Sequence, residues 1–439
     1  MKQMKLPIEE VNLFEKLCSL ECLLEGFKAV KKNRGSPGID RVTIDEFSGC
    51  LEEELMQIKQ ELESWIYKPN PVRRVEIPKP GKDAGVRLLG VPCVRDRVVQ
   101  AAIKELLEPI LDPIFSDSSY GFRPGRNQRM AVESAQRIVK SGKEYVVDID
   151  LSKFFDRVNH DRLISRLSQF ISDKRVLRII GMILRSGVMI SDNTVLPSSK
   201  GTVQGSPLSP LLSNVVLDEL DKELENRGLE FCRFADDCNI FIRSWKAAER
   251  VMEKISKFIE NRLKLLINQK KSKVALSKDV VFLGMTIIEG TIAISEKSLK
   301  RAMRKVKELT PRGTSLSLEE TIKSINRWYV GWSNYYGMTQ YPAQLNGIEA
   351  HVRRRLRARQ VDQQKRKRYL FKKLVKRGVS RRRAAKTVFS NKGRWALSHS
   401  PAVERAYSNR WFIREMNLKI RSDENQVHWL DISKWVKVT

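Results

Sequence analysis

The chain has 439 residues, 41% of them hydrophobic, which is enough for a sizeable core and excludes wholesale disorder. It carries 82 Lys and Arg against 52 Asp and Glu, a formal net charge of +30, and nucleic acid is the first partner such a charge implies. No run of about 18 uncharged apolar residues occurs, so no membrane span or membrane partner is expected. The first residues lack the apolar block of a secretory leader, so a cytoplasmic location is expected.

In chain order, residues 8–32 read as an amphipathic helix or helix pair, closed by the turn cluster at 33–40. A second helix is expected over 43–66 and is stopped by Pro69 and Pro71. Alternation predicts strands at 72–78 and 86–91, joined by a Gly-containing loop as a hairpin. Val98, Val99, Ala102, Ile103 and Leu106 mark a helix over 95–111. Residues 145–149 form a short apolar strand, helical segments occupy about 158–187, and 231–243 reads as a hairpin with acids at its tip. A helix follows over 246–263, then strands at 281–288 and 291–294. This mixture predicts an α+β domain with an antiparallel sheet. Beyond about residue 295 the pattern is helical, with helices at 297–309, 317–337 and 342–368. The second places Ile322, Ile325, Tyr329, Trp332 and Tyr336 on one stripe, which reads as core in preference to base stacking.

Charge is uneven along this order. Residues 351–390 hold 17 basic residues and one acid, Asp362, whereas residues 1–290 hold 47 basic and 41 acidic residues. A nearly balanced body therefore precedes a basic segment that lacks the continuous apolar face of an interfacial helix. Six cysteines are scattered, all at or before Cys238. Cys18 and Cys22 are placed on one helix face with no second pair for zinc, so free thiols are expected.

Chemistry concentrates at Asp236 and Asp237, adjacent acids inside an apolar hairpin. Burying them is costly unless a cation neutralises them. Mg²⁺ takes hard oxygen ligands, and a third acid is expected on a neighbouring strand. Residues 146–150 supply it, because period-two alternation puts Asp148 and Asp150 on one face, away from Val147 and Ile149. Three carboxylates around two metal ions suit in-line displacement at a phosphate by a 3′-hydroxyl with pyrophosphate leaving.

Several segments, in order, resemble one family. They are RRVEIPKP at 73–80, SYGFRPGR at 119–126, VDIDLSKFFDRVNH at 147–160, QGSPLSPLLSN at 204–214, FADD at 234–237, NQKKS at 268–272, FLG at 282–284 and GWSNYY at 331–336. The chain closely resembles the reverse transcriptases of the maturase type encoded by group II introns, in the form without a C-terminal endonuclease.

The resemblance implies a right-hand polymerase. An N-terminal extension and first fingers element would occupy 1–70, fingers and palm 71–290, thumb or maturase helices 291–375, and a small basic nucleic-acid-binding domain 376–439. It implies RNA-directed DNA synthesis from dNTPs with intron or template RNA and a DNA primer or target, in intron splicing and retrohoming. It selects Asp150 beside Asp236 and Asp237 as ligands of two Mg²⁺ ions, with Mn²⁺ a substitute, and leaves Asp148 structural. Lys79 and Arg87 would hold the triphosphate. Phe155 would lie under the sugar and exclude a 2′-hydroxyl, Gln204 and Gly205 would line the nucleotide pocket, and Lys271 would protonate the leaving pyrophosphate.

Arg353, Arg354, Arg357, Arg359, Lys365 and Arg366 are the candidates for gripping phosphates, which positions nucleic acid without reading its sequence. Arg355 is set apart because its spacing places it near the apolar side of its helix. The sequence departs from the family at Phe234, where Tyr is usual, and at Val203-Gln204-Gly205-Ser206, where Pro-Gln-Gly-Gly is usual. The alternatives are a host-adopted relative serving repair or defence, and a non-catalytic RNA-binding splicing factor. The sequence does not choose between monomer and homodimer.

Overall fold

The computed structural model describes residues 12–78, 85–191, 194–311 and 313–421. The chain divides after Leu276 into two compact units. No helix among the described residues is long and apolar enough to cross a membrane.

The first unit opens with helices α1 (Leu13–Leu17), α2 (Leu20–Asn33), α3 (Ile44–Gly49) and α4 (Leu51–Glu63). The helix expected over 43–66 is therefore two, broken at Cys50 after a first turn closed by the Thr43–Glu46 capping box. Cys18 caps α1 while Cys22 lies in α2, so the two do not share a helix. All six thiols are free, as expected. Strands β1 (Val72–Pro78) and β2 (Val86–Val91) precede α5 (Val94–Leu111). Gly26 lets α2 lie against α5, since a Cβ there would stand 2.6 Å from the Val98 carbonyl oxygen.

Then come α6 (Gln128–Lys140), β3 (Tyr145–Ile149), α7 (Phe154–Arg157), α8 (His160–Leu167), α9 (Lys174–Leu184), β4 (Val188–Ser191), β5 (Thr194–Leu196) and α10 (Ser209–Asn226). The unit ends with β6 (Glu230–Phe234), β7 (Asp237–Ile242), α11 (Trp245–Phe258) and β8 (Lys273–Leu276). One sheet has the order β2-β1-β4-β5, the other β6-β7-β3-β8. The second is antiparallel throughout, as expected; the first contains one parallel pairing, β1 with β4. A single apolar core runs from Leu13 to Leu265 through this unit, so the residues before 70 are packed into the same body as the sheets.

The second unit begins with the hairpin β9 (Met285–Ile288) and β10 (Thr291–Ile294). The strand expected over 281–288 is shorter because Leu283 and Gly284 take φ of 52° and 81°. A Cβ on Gly284 would also meet Tyr336 Oη at 2.6 Å, so this turn requires glycine. Helices α12 (Glu296–Leu309), α13 (Leu318–Tyr336), α14 (Pro342–Asp362), α15 (Lys367–Lys376), α16 (Arg381–Val388), α17 (Arg394–Leu397), α18 (Pro401–Ala406) and α19 (Asn409–Arg414) follow. The helix expected over 342–368 thus ends at Asp362.

One core reaches from Ala302 to Leu418 and includes Leu374, Val379 and Ala384. The borders expected at 290/291 and 375/376 do not coincide with this organisation: the β9–β10 hairpin stands with the helical unit, and residues on both sides of 375 share its core. Ile322, Ile325 and Tyr329 are buried in that core, and Trp332 stacks on Tyr336 with ring centres 4.8 Å apart, so the aromatic stripe is packing.

Candidate active site

The acids sit where the second sheet of the first unit ends. In the β6–β7 hairpin Phe234 pairs with Asp237, and Ala235 and Asp236 form the turn. Ala235 takes a φ of 57°, a conformation that costs a non-glycine residue about 1–2 kcal/mol. The β3–β7 ladder ends with Ile149 opposite Cys238. Beyond this last rung lie Asp150, which follows Ile149 in the chain, and Asp237, which precedes Cys238. Val147, Ile149, Cys238 and Ile240 join the core, so alternation turns Asp148 and Asp150 to the other face.

The carboxylates repel one another in a place water reaches poorly. Burial pushes the Asp237 carboxyl up to about 7, with Asp148, Asp236 and Asp150 adding to the rise. Burial also raises Asp236; Asp150 adds to this, while Arg87 and Lys271 oppose it. Asp148 is pushed up to about 6, mainly by burial, against the pull of Lys273. Asp148 pairs with Asn239 on one side and Lys273 on the other, and it is the carboxylate that acts most strongly on Asp237. Lys271 Nζ reaches Asp150 Oδ2 at 3.1 Å. Asp150 is further fixed through its backbone, whose N–H donates to Ser272 Oγ at 3.0 Å and whose carbonyl accepts from Asn268 N–H at 2.8 Å.

No three acidic, imidazole or thiol side chains among the described residues converge as a formed metal cluster. The donor set nevertheless fits a divalent ion. It offers hard carboxylate oxygens, crowded so that their negative charge is held at a cost, opposed by the nearby Arg87 and Lys271.

The support beneath the turn was missed by sequence reasoning. Arg233 is fully buried in β6 and forks onto Asp221 of α10, with Nε–Oδ1 at 2.7 Å and Nη2–Oδ2 at 2.5 Å. Its Nη1 donates to Asn214 Oδ1 at 3.0 Å and to the Ala235 carbonyl at 2.9 Å. Asn214 Nδ2 in turn donates to the Gly121 carbonyl at 2.9 Å. Tyr120 N–H donates to the Arg233 carbonyl at 2.8 Å, and a Cβ on Gly121 would lie 2.3 Å from Ala235 N. Arg123 ties this loop down through Asp112, at 2.7 Å, and the Ser116 carbonyl, at 2.6 Å. The available signal was a lone arginine inside the apolar segment at 231–234.

A cavity of about 960 Å³ opens beside the acids. It brings together Arg87, Phe155, Gln204, Gly205 and Asp236, five of the residues singled out from the sequence. Arg87 is exposed. Phe155 is half-buried and meets Phe154 edge-on at 5.2 Å. The Gln204 carbonyl accepts from Gly90 N–H at 2.8 Å, which fixes β2 to the loop. Gly205 takes a φ of 111°, and a Cβ there would stand 2.7 Å from the Gly90 carbonyl oxygen. Lys79 lies outside the described residues. Phe122, a further lining residue, was not singled out; it is exposed, holds a φ of 58° and has its ring centre 6.5 Å from that of Phe234. Ser206, the departure from Gly, is accommodated. Its hydroxyl donates to Gln100 Oε1 at 2.8 Å and accepts from Leu208 N–H at 3.3 Å.

In the second unit the expected phosphate grip needs correction. From Leu356 to Val361 every residue of α14 is buried, because short helices pack around it. Arg357, 7% exposed, donates to the Tyr407 carbonyl at 2.9 Å and Asn409 Oδ1 at 2.8 Å. Arg359, 3% exposed, donates to Thr321 Oγ1 and the Leu316 carbonyl. Both guanidiniums are taken up by acceptors within the unit. Arg353 lies 3.8 Å from Glu349, and Arg354 lies over the Trp395 ring at 4.3 Å; both are half-buried. Arg355 Nε donates to Thr310 Oγ1 at 2.9 Å, in agreement with its packing side. Lys365 and Arg366 are exposed.

Comparison with known proteins gives two consecutive matches. Residues 77–287 match the family described as reverse transcriptase (RNA-dependent DNA polymerase), and residues 299–378 match the group II intron maturase-specific domain. Protein YkfC of Escherichia coli is 32% identical, over 61% of this chain and 80% of its own length. The group II intron-encoded protein LtrA of Lactococcus lactis subsp. cremoris is also 32% identical, over 61% of this chain, but this chain covers only 44% of that relative.

Proposed function

We propose that this chain, which belongs to the family of reverse transcriptases encoded by group II introns, copies an RNA template into DNA from a primer 3′-hydroxyl and acts with group II intron RNA in splicing and retrohoming. The observation that carries the reading is one cavity: Asp236, Arg87, Phe155 and Gln204 line the same space, and Asp150 and Asp237 are close enough to Asp236 to interact with it by charge.

The incoming dNTP is held there by its charge and shape. Arg87 faces the triphosphate, the Phe155 ring stands under the sugar, and the Gln204–Gly205 backbone forms the wall. The primer oxygen attacks the α-phosphorus and pyrophosphate leaves. Lys271 is the proton donor to that leaving group, since its ammonium rests on Asp150 at the site. Asp150, Asp236 and Asp237 are the residues that would hold Mg²⁺, or Mn²⁺ in its place. When bound, the metal supplies activation of the 3′-hydroxyl and neutralisation of the charge on the departing phosphates.

Primer extension on an RNA template tests the reading. Asp236→Asn and Asp150→Asn should each abolish extension while RNA binding by the intact chain persists. Full extension by either variant would overturn it.

A further inference from the structure

The second unit contains a cationic cavity of about 570 Å³ that the polymerase reaction does not use. Arg377, just after α15, is among the residues that line it. Its guanidinium carbon stands 4.6 Å from the Tyr407 ring centre and 4.2 Å from that of Trp411. Arg377 Nη1 donates to the Ala406 carbonyl at 3.2 Å. Lys373, half-buried beside it, donates to Gln360 Oε1 at 3.3 Å. All these partners are neutral, so they orient the two cations without cancelling their charge.

Lys376 and Arg405, both exposed, also line the cavity, and so does the carboxylate of Glu415. Burial, and after it the neighbouring Arg377, lower the pKa of Lys373.

The composition of the wall narrows the ligand. Four cations against one carboxylate favour an anion. Glu415 opposes a run of phosphates crowded into the space but accepts a hydrogen bond from a hydroxyl. A volume of about 570 Å³ lies within the range of pockets that hold one small ligand. A single ribonucleotide unit supplies one phosphodiester charge and one 2′-hydroxyl, and DNA lacks the second.

We propose that this cavity binds one nucleotide of single-stranded RNA, with its phosphate among Lys373, Lys376 and Arg405 and its 2′-hydroxyl donating to Glu415. The proposal rests on the reading of the chain as an RNA-copying enzyme and adds a strand contact remote in sequence from the acids.

Fluorescence polarisation of the full chain with a labelled oligouridylate and its deoxy counterpart, at several salt concentrations, tests it. The pair Lys376→Gln and Arg405→Gln should flatten the slope of log affinity against log salt by about 0.7, the contribution of one single-strand phosphate. The charge-preserving pair Lys376→Arg and Arg405→Lys should keep the slope, which separates lost charge from lost folding. Glu415→Leu should narrow the preference for RNA over DNA several-fold.

An unchanged slope in the Gln pair, or an unchanged RNA preference in Glu415→Leu, would overturn the proposal. Complete displacement of the oligonucleotide from this cavity by millimolar inorganic phosphate would also overturn it, by assigning the site to a free anion. The polymerase reading fails separately, through extension by Asp236→Asn.

Discussion

Arg233 Nη1 donates to the Ala235 carbonyl at 2.9 Å while its other nitrogens fork onto Asp221. The turn that carries Asp236 is therefore held from beneath by a fully buried ion pair. Removing one partner of such a pair leaves an uncompensated charge, at a cost of about 3–5 kcal/mol. Arg233→Met should lower the thermal midpoint strongly and abolish extension. Adding Asp221→Leu should restore much of the stability, because both charges are then gone, but not the activity, because Ala235 still lacks its donor. Melting curves and extension assays on the single and double variants check this. Activity recovering together with stability would sink the positioning role.

Phe155 borders the cavity from the half-buried end of the apolar core. Phe155→Ala should raise incorporation of ribonucleotides relative to deoxyribonucleotides by roughly 10–200-fold, the range that a small steric contact supplies. Single-nucleotide incorporation with each class measures it. An unchanged preference would return Phe155 to a packing role.

The raised carboxyls make stability depend on pH. Asp237 binds its proton more tightly when folded, at about 7 against an ordinary 3.8, and Asp148 does so at about 6. Their contribution is complete below about pH 4 and is lost as pH rises through 6 and 7. In EDTA the thermal midpoint should therefore fall by several degrees between pH 5 and pH 8. Asp237→Asn should flatten that fall, and millimolar Mg²⁺ at pH 8 should restore the wild-type midpoint but not shift the variant equally. Identical pH profiles for the two proteins would remove the electrostatic account.

The acids were legible because their signal is local. Alternation alone turns Asp148 and Asp150 to one face, and an acid pair in an apolar hairpin stands out within eleven residues. The order of motifs also identified Gln204 and Phe155, and the cavity brings them together. The Arg233–Asp221 pair was not legible, since only the packing of α10 against β6 makes them partners. Helix α6 escaped although its buried Ala131, Val132, Ala135, Gln136 and Val139 recur at helical spacing. Helix α10 escaped because Ser213, Asn214, Asp218 and Asp221 are buried among its leucines and blur the pattern.

Arg357 and Arg359 on α14 were read from charge density alone, which does not show burial. Charge density was taken as surface, whereas α14 is enclosed over its last turns and uses its arginines to bond neighbouring backbone. Arg357→Gln and Arg359→Gln should each destabilise the helical unit by about 1–3 kcal/mol, because buried acceptors lose their donors. Their folded fraction should keep the salt dependence of RNA binding. Lys365→Gln with Arg366→Gln should do the reverse, leaving the melting curve in place and flattening the salt slope by up to about 1.4 if both touch phosphate. Thermal melts and salt titrations on the two pairs separate the roles. A flattened slope with an unshifted melt in the Arg357 and Arg359 variants would show that these two side chains leave the core to reach RNA.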